Sequence, residues 1–160
     1  MNILNVREYI ETFLKIRTKD GTLMPLRLNQ PQDRMYQAVK SQWDAGKPVR
    51  IIVLKARQMG FSTLTEAIIF AITATRFYTD CMIVAHKDEA TANLFRMSLR
   101  YYENLPEPMK PMRKASNAHE LVFDKPAHYK GRRSGLGSSI KCATAGGSGV
   151  GRSATLRCLH

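Results

Sequence analysis

The sequence predicts an α/β fold in which a mostly parallel central sheet is flanked by helices, and three observations carry that expectation. Two short apolar runs rich in β-branched residues, 50–54 and 81–85, read as strands. Both are apolar throughout rather than alternating, as in strands covered on two faces. Between them, residues 63–78 place Leu64, Ala67, Ile68, Ala71, Ile72 and Thr75 at helical spacing. Strand, helix and strand, with a short turn at Thr79-Asp80, make a βαβ unit, which implies parallel pairing and a right-handed crossover.

The loop joining the first strand to its helix has the composition of a phosphate cradle. Backbone N–H groups of such a loop point at an anion, the helix dipole adds partial positive charge, and a hydroxyl can ligate Mg²⁺. Against the pattern G-x-x-x-x-G-K-[ST], Gly60 and Ser62 stand at the sixth and eighth positions. Phe61 occupies the place of the lysine and Lys55 that of the first glycine. The cation is displaced rather than lost.

At 160 residues and 44% hydrophobic content the chain suits one domain with a sizeable core. Lys and Arg number 25 against 13 Asp and Glu, a net charge of +12. An acidic partner is expected, most commonly nucleic acid; a solvated or ribosome-type excess of charge is the alternative. No run approaches the roughly 18 apolar residues of a membrane span. The opening Met1-Asn2-Ile3-Leu4 lacks the layout of a signal peptide, so a cytosolic location is expected. Cys81, Cys142 and Cys158 are widely spaced in apolar runs and are expected as reduced, buried thiols. The four histidines show no ligand spacing with them, and no structural metal is expected.

In chain order, residues 3–17 carry Ile3, Val6, Ile10, Phe13, Leu14 and Ile16 at near-helical period, with Asp20-Gly21 as the stop. Asn29 or Gln30 caps a second amphipathic helix running through Met35, Tyr36, Val39 and Trp43 to Gly46, with Pro31 in its first turn. The planar amide of Gln32 could match the N6/N7 edge of adenine; a surface role is the alternative. After the βαβ unit, a helix begins in residues 86–90 and runs to Tyr101, and three prolines in 105–111 end it. Residues 121–123 form a short strand that can pair with 138–143 as a hairpin. The intervening loop, 125–137, carries Lys125, Lys130, Arg132 and Arg133, and is either a solvated excursion or a DNA-tracking element. Glycine-dense residues 143–153, closed by Arg152, lead into a last strand-like run, 155–160, as a mobile loop at a sheet edge.

Four of these segments, in order, resemble the N-terminal part of the ATPase domain of a tailed-phage terminase large subunit, the motor that pumps DNA into a procapsid. They are 29–32; the variant phosphate loop with Lys55, Arg57, Gln58, Gly60, Phe61, Ser62 and Thr63; 84–90 with Leu94-Phe95; and the 149–153 glycine-arginine segment before a β-run. The resemblance covers 26–160 and implies a P-loop NTPase of the additional-strand, RecA-like type, incomplete at its C-terminus. Residues 1–48 would be a helical lead-in with the adenine-recognition segment, and 49–160 the sheet core.

The resemblance further implies ATP and Mg²⁺ as ligands. Backbone N–H groups from Gln58 through Met59, Gly60 and Phe61 to Ser62 would surround the β-phosphate, and Ser62 or Thr63 would reach Mg²⁺. Gln32 would meet adenine. Lys55, with Arg57 as second choice, would balance the β/γ oxygens, and Arg152 is the candidate arginine finger supplied to a neighbouring subunit. Lys130, Arg132 and Arg133 would grip DNA phosphates without reading sequence. The implied partners are double-stranded DNA, a small terminase subunit and the portal of a procapsid, in a homo-oligomeric ring in the host cytoplasm.

The family's acidic pair, which holds Mg²⁺ and polarises the attacking water, would lie beyond His160, and there is no room for a nuclease domain. The sequence is therefore expected to be a fragment, inactive by itself. Two rivals are a helicase-like nucleic-acid-dependent ATPase and a non-catalytic basic DNA-binding or scaffold protein with a degenerate loop, which Phe61 favours.

Overall fold

A computed structural model describes residues 3–54, 56, 58–117, 119–124, 135–146, 150 and 155–160. Helix α1 (Ile3–Phe13) buries Val6, Tyr9 and Ile10. It ends earlier than the expected residue 17, because Lys15–Arg17 forms β1 and pairs antiparallel with β2 (Leu23–Pro25). Asp20-Gly21 is thus a hairpin turn rather than a helix stop. Gly21 sits at φ 91°, and the Asp20 carboxylate accepts hydrogen bonds from the hydroxyls of Thr18 and Thr22.

Helix α2 (Gln30–Asp44) starts where the sequence predicts. Asn29 is its N-cap and Pro31 lies in its first turn. Its inner face is Gln32, Tyr36 and Val39, and Arg7 of α1 reaches across to Asp33 at 2.7 Å. Helix α3 (Phe61–Thr73) is apolar almost all round from Leu64 onward and correspondingly buried. It starts two residues before, and ends five residues before, the expected span of 63–78.

The expected strand at 50–54 is absent from the sheet. These residues are irregular, with Ile52 and Leu54 fully exposed at 99% and 102% of their reference surface. The physical reason lies in β3 (Asp80–Ala85), the strand with which a βαβ crossover would pair them. Both edges of β3 are already filled, by β6 (Ser139–Thr144) on one side and β7 (Cys158–Leu159) on the other, each parallel to it.

Helix α4 (Asp88–Glu103) follows β3, and a single 3-10 turn at Glu107–Met109 precedes β4 (Arg113–Ser116) and β5 (Glu120–Phe123). The predicted hairpin is present, with Leu121 opposite Ile140 in an antiparallel β5–β6 pair; β4 extends it by one antiparallel strand. The sheet order is β4-β5-β6-β3-β7, two antiparallel pairings followed by two parallel ones. The architecture is therefore mixed α/β rather than mostly parallel. Helices α3 and α4 contact each other and lie against β3 and β6, while α1 packs on α3. Phe70, Ile72, Ile83, Tyr101, Leu121 and Phe123 fill the core between them. Among the described residues no helix is long and apolar enough to cross a membrane.

Candidate nucleotide site

Gly60 is the N-cap of α3 and lies in the left-handed region at φ 76°. No side chain caps this helix, so the N–H groups of its first turn have no side-chain acceptor. Two residues earlier Gln58 is also left-handed, at φ 63°, a conformation that costs a non-glycine residue on the order of 1–2 kcal/mol. Strain of that kind collects at functional loops. The segment 58–61 thus presents an uncapped, positively polarised helix end, the local geometry that suits a phosphate.

Helix α2 holds this loop in place. The Nε2 of Gln32 donates to the carbonyl oxygen of Gly60 at 2.7 Å, and the Nδ2 of Asn29 donates to that of Met59 at 3.4 Å. At its other end the Gln32 amide oxygen accepts from Asn29 N at 3.0 Å, while Gln32 N donates to Asn29 Oδ1 at 2.9 Å, a reciprocal capping box. Gln32 is therefore buried, at 4% exposure, and joins the start of one helix to the start of another. Gln30, two residues earlier, is exposed. It lines a cleft of about 370 Å³ together with Pro31, Arg34, Met35, residues 51–54, Met59 and Phe61. Apolar walls with a few polar groups at one end are the usual make-up of a small-molecule cleft.

Ser62 and Thr63 lie half-buried in the first turn of α3, and the Thr63 carbonyl accepts the Tyr101 hydroxyl at 3.1 Å. Below them Glu66 is fully buried, with His160 and Ser98 on its two oxygens. Burial pushes its carboxyl above the usual range, and the His160 and Ser98 contacts pull it partway back. Sequence reasoning missed Glu66, although a lone acid inside an otherwise apolar helical run was the available signal. It also passed over Arg34, which only the cleft distinguishes, and named Gln30 only as a cap candidate and as part of the 29–32 segment.

The structure thus brings together Gln32, Gln58, Met59, Gly60, Phe61, Ser62 and Thr63. Lys55, Arg57, Lys130, Arg132, Arg133 and Arg152 lie outside the described residues. Among the described residues no group of three or more His, Cys, Asp and Glu could hold a metal ion.

No protein-family model matches the sequence, and no curated protein matches it. Among solved structures, the crystal structure of the HK97 bacteriophage large terminase matches with a TM-score of 0.67 at 19% sequence identity. The match covers 91% of this chain and 28% of that one. The mixed five-stranded sheet with its helices is thus the fold found in part of a phage large terminase, and this chain spans little more than a quarter of that terminase's length.

Proposed function

We propose that the chain is the ATP-binding portion of a tailed-phage terminase large subunit, a P-loop ATPase of the additional-strand type that drives double-stranded DNA into a procapsid. The observation that carries this reading is the uncapped start of α3 at Gly60, held by the Gln32 amide, within a large-terminase fold. ATP is the proposed substrate. The N–H groups around Gly60 and Phe61 receive its phosphates, and the cleft beside Met35, Met59 and Phe61 receives its base, with Gln30 at the start of α2 among the residues that line it. Mg²⁺ would be held through the Ser62 hydroxyl and would neutralise charge on the β- and γ-oxygens.

Within this reading Lys55, or Arg57, supplies the loop's cation, and Arg152 serves a neighbouring subunit of a ring. Lys130, Arg132 and Arg133 meet DNA. The small subunit and the portal are the protein partners, in the host cytoplasm. The net charge of +12 supports a polyanionic cargo.

A nucleotide titration of the full-length protein tests the reading. ATP binding that Lys55→Ala weakens, with hydrolysis lost and the fold retained, is expected. Absence of ATP affinity would favour the non-catalytic scaffold instead. Arg152→Ala should spare nucleotide binding and stop only the turnover that depends on assembly; a matching loss of binding would assign it a role within its own subunit.

A further inference from the structure

Glu66 stands alone in α3. From Leu64 to Thr73 that helix is Leu, Ala, Ile and Phe apart from Thr65, Glu66 and Thr73. Both threonine hydroxyls bond back to the helix's own carbonyls, Thr65 to Phe61 at 3.0 Å and Thr73 to Ile69 at 2.9 Å. Glu66 instead reaches out, at 0% exposure, to two other elements. Its Oε2 accepts the hydroxyl of Ser98 on α4 at 3.2 Å, and its Oε1 lies 3.2 Å from His160 Nδ1. Ser98 is itself fully buried, and His160 is partly exposed.

His160 is seated as firmly by its backbone. Its N–H donates to Met82 O at 3.0 Å and its carbonyl accepts from Val84 N at 2.6 Å, which continues the β7 ladder along β3. One carboxylate therefore ties the helix that begins at Gly60 to β7, the strand paired with the far edge of β3 from β6. In open α/β sheets the carboxyl ends of the strands face the ligand. An apolar side chain at position 66 would fill the same space without the desolvation penalty of a buried carboxyl group. The contact is thus costly for packing alone.

We propose that Glu66 is a positioning residue, which through His160 sets the distance between β7 and the phosphates held at the start of α3. This rests on the nucleotide reading above. In that arrangement β7 and His160 are held in register with the bound γ-phosphate, and loss of the Glu66–His160 contact shifts them without disturbing the loop. Misplacement of reacting groups by about 1 Å can reduce turnover by roughly 100-fold.

The test uses the full-length protein and four variants: Glu66→Gln, His160→Ala, the pair combined, and His160→Asn, whose amide can donate near the position of Nδ1. The expected result is a fall in kcat for ATP of at least about tenfold in Glu66→Gln and in His160→Ala, with KM and the affinity for a non-hydrolysable ATP analogue nearly unchanged. The double variant should be no worse than either single one, and His160→Asn should recover most of the rate. Analogue binding by the wild type with kcat unchanged in both single variants would overturn this inference alone. So would losses that multiply in the double variant. No analogue binding by the wild type would overturn the nucleotide reading and this role with it. Should Glu66→Gln fail to fold, His160→Ala and His160→Asn decide the matter, since they leave the buried residue in place.

Discussion

The Nε2 of Gln32 stands 2.7 Å from the carbonyl oxygen of Gly60, and a Cβ added to Gly60 would fall 2.6 Å from that same nitrogen. The glycine is required twice, by its φ of 76° and by the amide pressed against it. Gly60→Ala is expected to cost about 1–3 kcal/mol and to lower nucleotide affinity, since it displaces the Gln32 amide and the first turn of α3 together. Denaturant unfolding and a nucleotide titration measure the two effects. An alanine variant with wild-type values in both would show that the loop adopts another conformation.

The Gln32 amide closes the cap of α2 and holds the loop, so Gln32→Ala should act on both. A capping loss of about 1 kcal/mol is expected, accompanied by faster amide hydrogen exchange at residues 58–62. Asn29→Ala removes the N-cap acceptor and its longer 3.4 Å bond to Met59 while leaving the Gln32–Gly60 bond available. Comparable destabilisation with a smaller effect on loop exchange is expected there.

Tyr101 is buried against Phe70, with ring centroids 5.7 Å apart, and its hydroxyl supports the Thr63 carbonyl in the first turn of α3. Tyr101→Phe keeps the ring and removes that bond. The expected loss is about 1 kcal/mol, or a fall of roughly 3 °C in Tm. Calorimetry reads it, and an unchanged Tm would mean that water or a neighbour replaces the hydroxyl at no cost.

The raised pKa of Glu66 makes its contribution to stability depend on pH. Burial is the main cause, opposed by the His160 and Ser98 contacts, and the folded protein holds this proton more tightly than the unfolded chain does. The stabilisation is therefore fully present below the ordinary carboxylate range and is lost as pH rises through the elevated folded value. Relative to Glu66→Gln, the wild type should lose stability as pH rises above the ordinary carboxylate range. Parallel Tm curves for the two proteins over that rise would contradict this.

The three thiols should separate by reactivity. Cys81 and Cys158 are opposite one another on β3 and β7. The hydrogen bond between them holds the Cys158 thiol below its ordinary value, helped by Arg157 and Arg76, and pushes Cys81 up, as burial also does. Burial pushes Cys142 up to about 12. Mild alkylation followed by mass spectrometry should find Cys158 modified first, since the thiolate is the reactive form. Earlier labelling of Cys142 would refute the assignment.

Much of this protein is determined by the sequence alone. Asn29 and Pro31 specify the start of α2, and the continuous apolar run of β3 its burial, because caps, turns and periodicity act over a few residues. The β5–β6 hairpin was legible for the same reason. Tertiary structure decided what depends on partners distant in the chain. The run 50–54 has the composition of a strand, yet β6 and β7 occupy both edges of β3, so the pairing with β3 that a strand-helix-strand unit calls for is already taken. Residues 15–17 carry a helical pattern that pairing with 23–25 overrides. Gln32 reads as a group that could face a ligand, and the fold turns it onto Gly60, 28 residues away. Glu66 reads as an isolated acid, and its meaning comes from His160, 94 residues further on. The cost of a buried amide or carboxylate is settled by whichever groups the fold brings to it, and local pattern cannot name them.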